Sequence, residues 1–187
     1  MISVRQLAGA LTGVGLLYRF DRRAWDFFDQ SAQGFWGAFI VAAALAPLQI
    51  GRSVIQFDAD KQSLDFVPYL VVEILSYVVT WTLFPFAMLY ISALLGRAPR
   101  YFAYMVPYIW MQLPLALPLF AAQLLTDLQL LPPILLGVLG PAVLVAFAVY
   151  GTFVAGIGLQ IVTGTALSLV VLDYVLGLLA DRAISLI

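Results

Sequence analysis

The sequence predicts an all-α, polytopic membrane protein: a bundle of five transmembrane helices preceded by an amphipathic interfacial segment. Three observations predict it. The 187 residues are 64% hydrophobic and only 10% charged, with a mean hydropathy of +1.03. Soluble domains are nearer half apolar and a quarter charged, and a chain this size has too little interior to hide such a surface from water. The apolar residues fall into long blocks of spanning length, about 20 residues each. The alternating ten-residue pattern of a membrane β-barrel is absent.

Residues 1–33 form the lead-in. MISVR followed by LAGALTGVGLLY (7–18) resembles a signal peptide, but RFDRRAWDFFD follows without a small-x-small cleavage site. The run is expected to be retained, and it is too short to span. In 19–36 charges and aromatics interleave. Phe20, Trp25, Phe27, Phe28 and Phe35 are expected to dip into the interface while Arg19, Arg22 and Arg23 face headgroups. The sharper alternative is a docking platform for a partner, with Arg19, Arg22, Arg23, Trp25, Phe28 and Trp36 as its contact residues. The acids among these arginines predict no strong attraction to anionic lipid.

The first span is expected at about 34–57 and the second at 67–95, with Pro68 in its first turn. GRAPR (96–100) stops the second, because Gly ends helices and Pro prevents their continuation. The third runs over 101–126, and Pro107, Pro114 and Pro118 each delete a helical hydrogen bond. From 134 the apolar block is about 50 residues long, or ~75 Å as a helix, against a bilayer core of ~30 Å. It must fold back, and Gly164 within QIVTGT (160–165) predicts spans at 134–161 and 165–182. A small-residue stripe on the fourth span (Ala148, Thr152, Gly156, with Gly151 and Ala155 alongside) is expected to admit the fifth at close range.

Lys and Arg set the orientation. For five spans, Arg5, Arg19, Arg22, Arg23, Arg97 and Arg100 share one side, against Arg52, Lys61 and Arg182 on the other. The positive-inside rule places the N-terminus in the cytoplasm and the C-terminus outside.

Few polar residues lie inside the blocks. Asp173, in SLVVLDYVLGLL (168–179), sits near mid-depth, where an ionised carboxylate costs at least ~2.5–3.5 kcal/mol on insertion scales. It must be protonated, paired or facing a wet cavity, and a carboxyl neutral for much of the time is expected. A bend at 162–163 brings it level with Thr152, and Gln112 is expected at similar depth. Asp173, Thr152 and Gln112 are read as a polar cluster: interhelical glue, a proton or cation site, or a subunit contact. Folding the first hairpin about residues 58–65 predicts an Arg52–Glu73 ion pair near the outer interface.

Chemistry is sparse. The chain has no cysteine and no histidine, which removes thiol and imidazole catalysis and the commonest metal ligands. There is no phosphate loop, nucleophile elbow or metal-spaced ligand cluster. Asp58, Asp60 and Asp65 share a loop with Lys61 and lack an EF-hand register. A net charge of −1 gives no basic footprint for nucleic acid. The expectation is no enzyme and no cofactor, with the lipid bilayer and other membrane-protein subunits, or further copies of the chain, as partners.

The order of elements carries a resemblance. An amphipathic lead-in, then GFWGAFIVAAALAPL, then close-set spans ending in the nearly loopless pair YGTFVAGIGLQIVTGTALSLVVLDYVLGLL, resembles the Yip-type (Ypt-interacting protein) membrane family and its bacterial relatives. The resemblance implies five spans, an N-terminus inside, a bacterial inner-membrane location and a role in membrane organisation or partner binding. The DLYGP-type motif of the eukaryotic N-terminal region is absent, so Rab-related activity does not carry over. Two functions follow as expectations: a scaffold or accessory subunit, or a small transporter or channel using Asp173.

Overall fold

The structure is a computed structural model and describes residues 4–58 and 64–184. Asp60 and Lys61 lie outside the described residues. Among the described residues there are helices and turns and no strand. Helix α1 spans Val4–Leu17 and a 3-10 stretch covers Arg22–Phe27. Then come α2 (Ala32–Ala38), α3 (Ile40–Gln56), α4 (Phe66–Leu94), α5 (Tyr101–Asp127), α6 (Ile134–Leu159) and α7 (Thr163–Ile184). Five segments are long and apolar enough to cross a membrane: Ala32–Gln56, Phe66–Leu94, Ala98–Asp127, Ile134–Leu159 and Thr163–Ala180. The chain is thus an α-helical bundle whose spans match the expected five to within about two residues at most ends.

The ends have local causes. Ser31 caps α2 by accepting from the Gly34 amide at 3.1 Å. The first span is not one straight rod, because Phe39 breaks it between α2 and α3. Gly96, at φ +68°, ends α4. The Gly96 amide bonds Ala93 and the Arg97 amide bonds Ser92, the paired arrangement that satisfies the last carbonyls.

The final hairpin corrects the expected bend. It turns at Gln160, whose φ is +55° and whose amide bonds the Gly156 carbonyl, while Gly164 lies inside α7. Glycine marks such left-handed positions in sequence; here a glutamine holds it, and the turn comes about two residues before the expected one.

Helix α5 is the centre. From Tyr101 to Met111 every residue but Phe102 is buried, as suits a helix apolar on all sides. Helices α3 and α6 pack directly on it, α7 packs on α6 and α4, and α4 returns to α3. Lipid-length apolar faces of α4, α6 and α7 point outward, with Val71, Val78, Val138, Val145, Val171 and Leu178 exposed.

The closest helix approach also differs from expectation. Helix α6 packs on α5 more extensively than on α7. A Cβ on Gly158 would lie 2.7 Å from the Tyr104 Cα, whereas one on Gly151 would meet the Val170 side chain at 3.0 Å. The closest approach to α5 is thus at Gly158, outside the expected stripe, while Gly151 of the stripe admits α7 as expected.

The lead-in is part of the bundle. Ala10, Val14 and Leu17 of α1 are buried. So are Trp25, Phe28 and Phe35, which corrects the expectation that these rings dip into the interface; Phe20 and Phe27 remain exposed. The Trp25 Nε1 donates to the Ala103 carbonyl at 2.7 Å. That carbonyl is the one Pro107 leaves without its helical amide. The Tyr18 hydroxyl donates to the Met111 carbonyl at 2.8 Å, beside the carbonyl that Pro114 frees. Tyr18 also packs on Tyr150 at 4.3 Å between ring centroids. Pro107 thus creates an acceptor, and the lead-in supplies its donor.

Candidate functional site

Asp173 lies on the inner side of α7, and its carboxylate accepts a hydrogen bond from the Tyr108 hydroxyl of α5 at 2.6 Å. The pair borders a cavity of about 290 Å³ between α4, α5, α6 and α7 that Thr80, Gln112, Phe147 and Gly177 also line. No Lys or Arg lines it. Gln112 therefore reaches the expected cavity, but Tyr108 is the partner of the carboxylate.

Thr152 does not belong to the cluster. Its hydroxyl donates to the Ala148 carbonyl at 2.7 Å, one turn back in α6, and it lines a groove elsewhere on that helix. The earlier hairpin turn is the reason. With the turn near Ile161, the residue level with Asp173 is close to Val149 rather than Thr152. The sequence does carry a signal for Tyr108: Tyr104, Tyr108 and Gln112 recur every four residues, which puts them on one face of α5.

The expected Arg52–Glu73 pair is replaced by two separate contacts. Arg52 Nε donates to Asp127 Oδ2 at 2.7 Å and Nη1 donates to Gln123 Oε1 at 3.0 Å. Gln56 Nε2 donates to Asp127 Oδ1 at 3.0 Å. Glu73 instead accepts from the Ser53 hydroxyl at 2.8 Å. The level deduced from the hairpin is right, since residue 53 meets residue 73. The direction is not: one residue is about 100° of helix turn, so Ser53 faces α4 while Arg52 faces α5. Together these bonds tie the ends of α3, α4 and α5 on the side away from the lead-in. This is a brace, with both charged side chains mostly covered and mutually paired.

On the lead-in side, Arg23 donates to both oxygens of Asp21, at 3.1, 3.0 and 2.6 Å. Those hydrogen bonds hold the Asp21 carboxyl below the usual carboxylate range. Arg19 and Arg22 are exposed. Trp36 is 65% exposed and stands as a fin between two hollows. One, of about 730 Å³, lies between α1 and α2; Arg5, Gln6, Asp29 and Gln33 form its polar part, over Val106 and Trp110. The other, of about 170 Å³, is walled by aromatics of α2, α4 and α5 such as Phe35, Phe86 and Phe102.

Among the described residues no three His, Cys, Asp or Glu side chains gather as a metal site. No family model, curated protein or solved structure matches the chain. The Yip-type resemblance accordingly rests on the order of elements in the sequence.

Proposed function

We propose that this multi-pass membrane protein is non-enzymatic and acts as a scaffold or accessory subunit for other membrane proteins. Its orientation in this reading is N-terminus cytoplasmic and C-terminus outside, in a bacterial inner membrane, from the arginine count and the family resemblance. The observation that carries the reading is Trp36. A large ring left 65% exposed between two hollows is the shape of an interface anchor, and tryptophan is enriched among residues that dominate binding energy. The hollows on either side would take the side chains of a partner helix packed against α2. The lead-in, sewn to α5 and α6, holds that surface rigid, which lowers the entropy a partner must give up on docking.

Native mass after gentle solubilisation tests this. The wild-type chain, 20.5 kDa, is expected to travel in an assembly heavier than itself, and Trp36→Ala to weaken that assembly roughly 30-fold, the worth of a ~2 kcal/mol anchor, with helicity unchanged. A wild-type chain that travels singly contradicts the reading.

A second reading rests on Asp173. A carboxyl beside a cavity at mid-span, held by one hydroxyl, is the arrangement of an intramembrane proton or cation site. Proton flux into liposomes that carry the protein, abolished by Asp173→Asn, supports it. Equal flux from both proteins, or none from either, removes it.

A further inference from the structure

The acids and arginines that balance along the lead-in sequence are sorted by the fold. Asp21 takes Arg23. Asp26 lies near enough to Arg23 to act on its charge, and Asp29 borders the hollow between α1 and α2. Arg22 is left facing the other way, into a groove of about 880 Å³ between the 3-10 stretch and the α6–α7 turn. Arg100 enters the same groove from the α4–α5 connection. Its Nε donates to the Gly158 carbonyl at 2.7 Å, one of the last carbonyls of α6, where a cation is favoured. That bond fixes the guanidinium and leaves its two terminal amino groups for another acceptor. The rest of the polar lining is neutral: Gln30, Thr152, Gln160 and Thr163, with no carboxylate.

Two arginines without an acid between them make a site for a planar or tetrahedral oxyanion, and the fork of each guanidinium suits phosphate. The surface below the groove says which phosphate. Val149 lines its lower edge, and Val145 and Val138 continue down the same outward face of α6, all three exposed. Their spacing of four and seven residues makes one apolar track running from the groove into the depth of the bundle. A charged head above a hydrocarbon-length apolar strip matches a phospholipid. Phe20 and Gln160, both non-glycine residues with positive φ, border the groove, so both turns that shape it keep a side chain where glycine would be easier.

We propose that Arg22 and Arg100 bind the phosphate of an anionic phospholipid whose acyl chains run down the outward face of α6 past Val149 toward Val145. The site stands apart from the partner-binding reading, because lipid retention by a lone chain and assembly mass are separate readouts.

The test uses the full chain in detergent, stripped of lipid and titrated with phosphatidylglycerol or phosphatidylcholine, with bound lipid counted by native mass spectrometry. The wild type is expected to prefer phosphatidylglycerol. Arg22→Gln is expected to weaken that binding about tenfold, the loss of one charge-assisted contact, and to leave phosphatidylcholine unaffected. Arg22 makes no fold contact that the substitution removes, and Arg22→Lys should restore part of the preference. Arg100→Gln should act in the same direction, with unchanged helicity required for its result to count. Arg19→Gln removes the same charge outside the groove and should change nothing. Phosphatidylglycerol binding that survives Arg22→Gln, or that falls equally with Arg19→Gln, overturns the site. Glycerol phosphate binding as tightly as the lipid overturns the assignment to a lipid.

Discussion

Trp25→Ala is expected to lower stability by about 3–5 kcal/mol, the range for truncating a buried tryptophan. Two losses combine. The ring leaves a void against Phe153, which it meets edge-on at 5.8 Å, and the Ala103 carbonyl loses its donor. The second loss can be isolated. Trp25→Phe keeps an aromatic ring but removes the indole N–H with part of the ring, so at least about 1–3 kcal/mol should go, the cost of an orphaned buried acceptor, plus that of a smaller void. Pro107→Ala puts an amide back within reach of that carbonyl. The double variant Trp25→Phe with Pro107→Ala should therefore be more stable than Trp25→Phe alone. Thermal unfolding of the detergent-solubilised protein, followed by helicity, measures all four proteins. Additive effects in that cycle would show that the indole and the proline do not share the carbonyl.

Gly158→Val is expected to cost about 3 kcal/mol or more, at the upper end of overpacking penalties. Its Cβ would sit 2.7 Å from the Tyr104 Cα and 3.0 Å from the Ala103 carbonyl oxygen. These are backbone atoms of a buried helix and have no rotamer to change. To admit the side chain, α6 must withdraw from α5, which also stretches the Arg100 bond to the Gly158 carbonyl. Gly164→Ala is the internal comparison. A Cβ there meets nothing within 4 Å, so the change should stay within about 0.5 kcal/mol. Expression yield and melting temperature in detergent should drop for Gly158→Val and hold for Gly164→Ala. Equal behaviour of the two would remove the close α5–α6 crossing from the account.

Both predictions converge on one place. Ala103 accepts from Trp25 of the lead-in, belongs to the turn that Pro107 opens, and faces Gly158 of α6. Lead-in, third span and fourth span are fastened there, close to where Arg100 caps α6. A separate helix floating on the membrane surface would leave the carbonyls freed by Pro107 without a donor, and such groups are costly where water is absent.

What the sequence discloses follows from what each signal depends on. Span number and placement were legible because they depend on apolar length, which composition sets directly. The stop after α4 is legible because Gly96 carries it; the stop after α6 is legible only to within about two residues because Gln160 does the work of a glycine. Arg52 was placed at the right level and the wrong azimuth, since hairpin register fixes depth but not which neighbour a helix face meets. The lead-in aromatics were read as interfacial because amphipathic composition is the same whether the rings face lipid or a bundle. Only the third dimension shows the α5 carbonyls awaiting them. Asp173 stood out as a lone acid in an apolar run, whereas a tyrosine hydroxyl is too common in membrane helices to announce itself as its partner.

The arginine sorting teaches the same lesson in reverse. Along the chain, alternating charges cancel. In the fold, Asp21 and Arg23 pair with each other, while Arg22 between them lines a groove with Arg100, some 78 residues away in sequence.

The central claim is five crossings, which place the two ends of the chain on opposite faces of a membrane. The chain has no cysteine, so single cysteines at Arg19 and at Arg182 can be labelled without background. In right-side-out and inverted vesicles, a membrane-impermeant thiol reagent should reach position 19 in one preparation and position 182 in the other. Both positions labelled in the same preparation would mean an even number of crossings and would contradict the arrangement.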